Sequence, residues 1–135
     1  MSAKEPVEAV LAFLDRVNAR DVDGLCACMT EDHVLIDGLG NRMQGRETMR
    51  KGWTAYFGLF PDYRVSHTEI FSQGAIVAAF GSAEGTYAVN GKLSKENHWS
   101  VPAAWKAVVR DGLVAEWQVY ADNQPARKIM GSPHP

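Results

Sequence analysis

Tyr56-Phe57-Gly58-Leu59-Phe60-Pro61-Asp62-Tyr63-Arg64-Val65 is the stretch on which the fold turns. Up to Phe60 the apolar residues recur at helical spacing. Beyond Asp62 they form runs punctuated by turn signals, as strands do. Pro61 disfavours a helical residue before it and closes the helix there.

Working upstream, Gly45-Arg46-Glu47 opens the helix that ends at Pro61, and Met49, Trp53, Tyr56, Phe57 and Phe60 form its apolar stripe. A short apolar run, His33 to Ile36, reads as a strand before it. Asp21 is placed to cap a second helix carrying Val22, Leu25, Cys26 and Met29. Pro6 suits the first turn of another, in which Val7, Val10, Leu11, Leu14 and Val17 share one face.

Downstream, Tyr63 to Phe71 reads as a strand turned by Gln73-Gly74. Ala75 to Tyr87 is a longer one, and its interior Gly81 and Gly85 suggest bends or bulges. Asn90-Gly91 turns again. His98 to Val109 follows, with Pro102 marking an edge or bulge and leaving open whether Trp105 or Lys106 faces inward. Asp111-Gly112 is a hairpin signal before the last strand, Leu113 to Ala121. Residues 125–135 read as a partly disordered tail. Three N-terminal helices followed by mainly antiparallel strands predict one α+β domain, with helices on one face of a strongly curved sheet.

The chain has 135 residues, a hydrophobic fraction of 46%, a charged fraction of 22% and a formal net charge of -2. Nothing in that balance suits nucleic acid or an anionic membrane. No apolar run reaches the ~18 residues of a membrane span. The N-terminus lacks a signal-peptide core, so a cytoplasmic location is the default expectation. Cys26 and Cys28, two apart on a helix, point to opposite sides and are poor partners for each other. The four histidines show no zinc-like spacing with them, so no metal site is expected.

A bent sheet with helices across it can enclose an apolar pocket, and Trp53, Tyr56, Phe57, Trp99, Trp105, Trp117 and Tyr120 are candidates to line it or to fill plain core. Asp37 is the first candidate for chemistry. It ends the His33–Ile36 strand and precedes Gly38, so it either starts a turn or sits as a poorly solvated carboxylate with a raised pKa, suited to carry protons. His67, with Tyr63, Val65, Glu69 and Phe71 in strict alternation, reads as a sheet-face histidine or a pocket acid/base. Lys106, if inward, would pair with a carboxylate or an anionic ligand, while Glu84 and Glu116 read as exterior.

The order of elements, with Asn18-Ala19-Arg20-Asp21-Val22-Asp23-Gly24-Leu25, Pro61-Asp62, Gly85-Thr86, Asp111-Gly112 and Trp117-Gln118-Val119-Tyr120-Ala121-Asp122, resembles the nuclear transport factor 2-like superfamily, in its SnoaL-like polyketide cyclase and ketosteroid isomerase-like branch. The resemblance covers nearly the whole chain. It implies a cone-shaped α+β fold around a hydrophobic pocket, to which Phe13, Trp53, Tyr56, Phe57, His67, Tyr87, Ala104, Trp117 and Val119 would contribute. Laid along the isomerase pattern from Asp21, Asp37 falls at the base position. Phe13 and Ala104 fall where the two oxyanion-hole donors would be. Neither can donate a hydrogen bond, and one such donor is worth roughly 2.7–4 kcal/mol, so a conventional steroid isomerase is not implied.

The cyclase pattern instead matches Trp117 and Asp122, and implies that Asp122 is an acid/base residue in a reaction without a cofactor. Three functions then stand open: a cofactor-free enzyme on a small hydrophobic carbonyl compound, a binding protein for a small apolar ligand, and a scaffold. Large residues in both strand phases further predict a homodimer through the outer sheet face.

Overall fold

The structure is a computed structural model and describes residues 4–131. Helix α1, Pro6–Asn18, starts with proline in its first turn and a reciprocal capping box between Glu5 and Glu8. It buries Ala9, Val10, Phe13, Leu14 and Val17. Helix α2, Val22–Ala27, is capped by Asp21, whose Oδ1 accepts from Gly24 N at 2.9 Å. It is shorter than its apolar spacing suggests. Met29 begins strand β1, Met29–Ile36, because it pairs with Val114 on the last strand and is fully buried there.

A loop and a three-residue strand, β2 (Arg42–Gln44), fold back antiparallel on β1. Helix α3, Arg46–Leu59, buries Met49, Trp53 and Phe57. Then come β3 (Arg64–Gln73), β4 (Ile76–Val89), β5 (Lys92–Arg110), β6 (Leu113–Ala121) and a short α4 (Gln124–Ile129). The sheet order is β2-β1-β6-β5-β4-β3, antiparallel throughout except for the parallel β1–β6 pair.

Two differences from the sequence reading have local causes. Asn90 and Gly91 both have positive φ, 51° and 76°, forming a tight turn that pairs Val89 with Lys92 at once. β5 therefore starts six residues before His98. Residues 124–129 are helical rather than frayed, with a proline in the first turn and Ala126 buried. Residues 132–135 lie outside the described part of the chain.

The expected bends fall at the glycines. A Cβ on Gly81 would sit 1.8 Å from the Ser66 carbonyl, beside the register shift in β3. A Cβ on Gly85 would sit 3.2 Å from Trp99 and 3.3 Å from Phe60. Pro102 does not reset the phase of β5. Trp99, Val101, Ala103, Trp105, Ala107 and Val109 all face the helices, and β6 ends opposite Ala103, so β5 is locally an edge on that side at Pro102. Trp105 is thus inward and 2% exposed. Lys106 is outward and pairs with Glu116 at 3.5 Å, not with a pocket carboxylate.

Candidate active site

Between α3, α4 and the concave sheet face lies a cavity of about 260 Å³. Its wall is mostly apolar: Leu35, Met43, Met49, Trp53, Tyr56, Tyr63, Ala83, Trp99, Val101, Val119 and Ala126. Its polar lining is Asp37, Thr48, Asp122 and Asn123. Asp37 follows β1 and Asp122 follows β6, and those strands run parallel side by side. Gly38 sits so close to the end of β6 that a Cβ there would lie 2.8 Å from the Ala121 carbonyl. The parallel pairing and this close approach bring two carboxylates from distant parts of the chain to one cavity.

Their surroundings differ. Asp37 Oδ1 accepts from Leu39 N and Asn41 N, each at 2.9 Å, and Oδ2 accepts from Asn41 Nδ2 at 3.1 Å. Its backbone closes the same loop, with Gly40 N on the Asp37 carbonyl and Asp37 N on the Asn41 carbonyl. Partial burial alone would raise the carboxyl's pKa, but these donors outweigh it and hold the pKa below the ordinary value. The expectation of a raised pKa is therefore corrected: the loop solvates Asp37 with its own amides. Asp122 Oδ1 accepts from Gln124 N at 2.9 Å, and Oδ2 has no hydrogen bond among the described residues.

Two phenols, of Tyr56 and Tyr63, stand in the same wall. Burial pushes the Tyr56 pKa up to about 12 and that of Tyr63 well above its ordinary value, so both stay protonated and able to donate. Their rings meet edge-on at 4.9 Å. The indole Nε1 atoms of Trp53 and Trp99, on the same wall, have no partner among the described residues.

Of the residues expected to line the pocket, Trp53, Tyr56 and Val119 do, as does the aromatic candidate Trp99. Phe13 does not. It is wholly buried on the inner face of α1, 4.5 Å from Trp117, and Trp117 in turn stacks on Trp105 at 6.2 Å. Phe57 points into the core between Trp53 and Tyr63. His67 is exposed on β3, and Tyr87 packs 6.3 Å from Phe60. Ala104 and Tyr120 pair on the outer sheet face. Tyr63 and Val101 were the main omissions. Each shares the inward phase of a residue already singled out, Val65 and Trp99 respectively.

Among the described residues, no group of three or more His, Cys, Asp or Glu side chains is placed to hold a metal ion. Cys26 and Cys28 are free, and no helix among the described residues is long and apolar enough to cross a membrane.

The family model of the SnoaL-like domain matches residues 10–117. The chain belongs to the SnoaL-like family. Solved structures agree in fold. A candidate SnoaL-like polyketide cyclase from Shewanella denitrificans superposes with a TM-score of 0.79 at 14% identity, covering 95% of this chain and 99% of that one. IdmH, a candidate polyketide cyclase from Streptomyces antibioticus, gives 0.77 at 22% identity, with 95% and 99% covered. A ketosteroid isomerase-like protein from Catenulispora acidiphila, solved with trimethylamine, gives 0.76 at 19% identity, with 96% of each chain covered. No curated protein matches by sequence. As a SnoaL-like protein the chain has the α+β cone fold, with its sheet open rather than closed into a barrel.

Proposed function

We propose that the cavity is the active site of a cofactor-free acid/base enzyme of the cyclase or isomerase type. Its substrate is a small hydrophobic carbonyl compound, polyketide- or steroid-like, from which it takes a proton beside the carbonyl. The observation that carries this is the convergence of Asp37 and Asp122 on one apolar cavity. A mostly apolar wall strengthens charge interactions made against it.

Asp122 is the better placed base, because its Oδ2 is not engaged by the protein. Asp37 keeps the role of a fixed anion and a weaker base, since stabilising a carboxylate with donors lowers its basicity. Tyr56 supplies the hydrogen bond to the developing enolate oxygen that Phe13 and Ala104 cannot supply. It lines the cavity and stays protonated at neutral pH.

The donors around Asp37 favour one second reading, a binding protein that holds the same ligand without turnover. Paired variants separate the two. Asp122→Asn should slow proton exchange of a bound, uncharged ketone by about a hundredfold or more while leaving its affinity nearly unchanged. Tyr56→Phe should slow exchange by a similar factor. Exchange that both variants leave intact, with ligand still bound, would make the cavity a binding site only.

A further inference from the structure

The charges around the cavity are of one sign. Its lining holds Asp37 and Asp122 and no lysine, arginine or histidine. Five other acids, Asp21, Asp23, Asp32, Glu47 and Glu116, each meet an arginine or lysine side chain. Asp37 and Asp122 meet none among the described residues. The amides of the 37–41 loop stabilise the Asp37 carboxylate without cancelling its charge. The same lining holds four aromatic rings, of Trp53, Tyr56, Tyr63 and Trp99. Ring faces attract cations and repel anions, and apolar walls strengthen both effects.

We propose that the cavity selects a hydrophobic ligand bearing a positive charge, a protonated or quaternary amine, and discriminates against carboxylates. This rests on the reading of the cavity as the substrate site and narrows its substrate class to amine-bearing carbonyl compounds. It also bears on the reaction. A cationic centre near the carbonyl stabilises the developing enolate, adding to the hydrogen bond from Tyr56.

Three probes of matched shape test it: benzyltrimethylammonium, its uncharged isostere neopentylbenzene, and 3-phenylpropanoate. Binding is followed through the indole N–H NMR signals of Trp53 and Trp99. The cation should bind about tenfold more tightly than the neutral isostere, and the anion more weakly than either. Asp122→Asn should narrow the gap between cation and isostere without weakening the isostere, and raised salt should act the same way in the wild type. An isostere that binds as tightly as the cation overturns the charge selection and leaves the cavity as an apolar site. If no probe moves either indole signal, the substrate-site reading fails with it.

Discussion

His33 is fully buried, its ring 6.0 Å from Phe13 and its Nδ1 2.7 Å from the Val114 carbonyl. A carbonyl only accepts, so the ring hydrogen sits on Nδ1, and Nε2 is left without a partner among the described residues. Burial pushes its pKa below the ordinary value, against the smaller opposing pulls of the Val114 carbonyl, Asp32 and Glu116. The unfolded chain takes up that proton near pH ~6.5, and the folded chain does so only at lower pH. Stability is therefore complete above about 6.5 and declines as pH falls towards the folded value. Urea denaturation across this range should show the decline. His33→Asn keeps a donor for Val114 but cannot titrate, so it should flatten the slope; an unaltered slope would place the acid sensitivity elsewhere. The sequence reading took His33 as the start of a strand. Its burial follows from β1 beginning four residues earlier, a start set by pairing with Val114 and invisible in local periodicity. Asp37 is the reverse case. The glycines and Asn41 after it were legible as a turn, but only the structure shows that their amides solvate the carboxylate.

The junction between α3 and the sheet is held by Asp62. Its Oδ1 accepts from Thr86 N and its Oδ2 from Thr86 Oγ1, both at 2.7 Å, and His98 Nδ1 lies 2.8 Å from the same hydroxyl. Glu84 reaches the other side of that imidazole at 3.2 Å. This clamp fixes the segment from Phe60 to Tyr63 and so sets one wall of the cavity. Pro61-Asp62 and Gly85-Thr86, separate motifs in the sequence, are thus one contact. Asp62→Ala would strand the buried Thr86 amide, which costs about 1–3 kcal/mol, whereas Asp62→Asn keeps an acceptor and should lose less. Equal stability of the two variants in urea would contradict the clamp. The helices and hairpins were readable because periodicity and turn residues act locally. β2 and α4 were not, because three exposed residues and six residues with a proline among them carry little signal of their own.

Across the whole molecule the helices cover one face of the sheet and leave the other bare. Phe71, Ile76, Phe80 and Tyr120 are 59%, 48%, 43% and 52% exposed there. We propose that a second copy covers this face, as large residues in both strand phases lead one to expect. Light scattering should give about twice the 14.9 kDa chain mass, and Phe80→Lys should shift the protein towards monomer. A wild-type monomer at micromolar concentration would refute the dimer without touching the cavity. The fold was legible from the order of motifs, and Asp37 and Asp122 were each singled out, but their meeting at one cavity follows from the parallel β1–β6 pairing. The cavity wall was legible only in part: Trp53, Tyr56, Trp99 and Val119 line it, whereas Phe13 and Trp117 pack in the core and Ala104 faces the outer side of the sheet, as tertiary packing decides. The measurement that bears most directly on the proposed active site is deuterium uptake from solvent beside the carbonyl of a small apolar ketone, compared between the wild type and Gly52→Phe. Gly52 lines the cavity from α3, and a Cβ there meets nothing within 4 Å, so a bulky side chain can be placed beside the cavity with no clash at its first carbon. Rapid uptake with the wild type and none above background with Gly52→Phe is the expected result. Equal uptake in both proteins would show that the chemistry does not happen in this cavity.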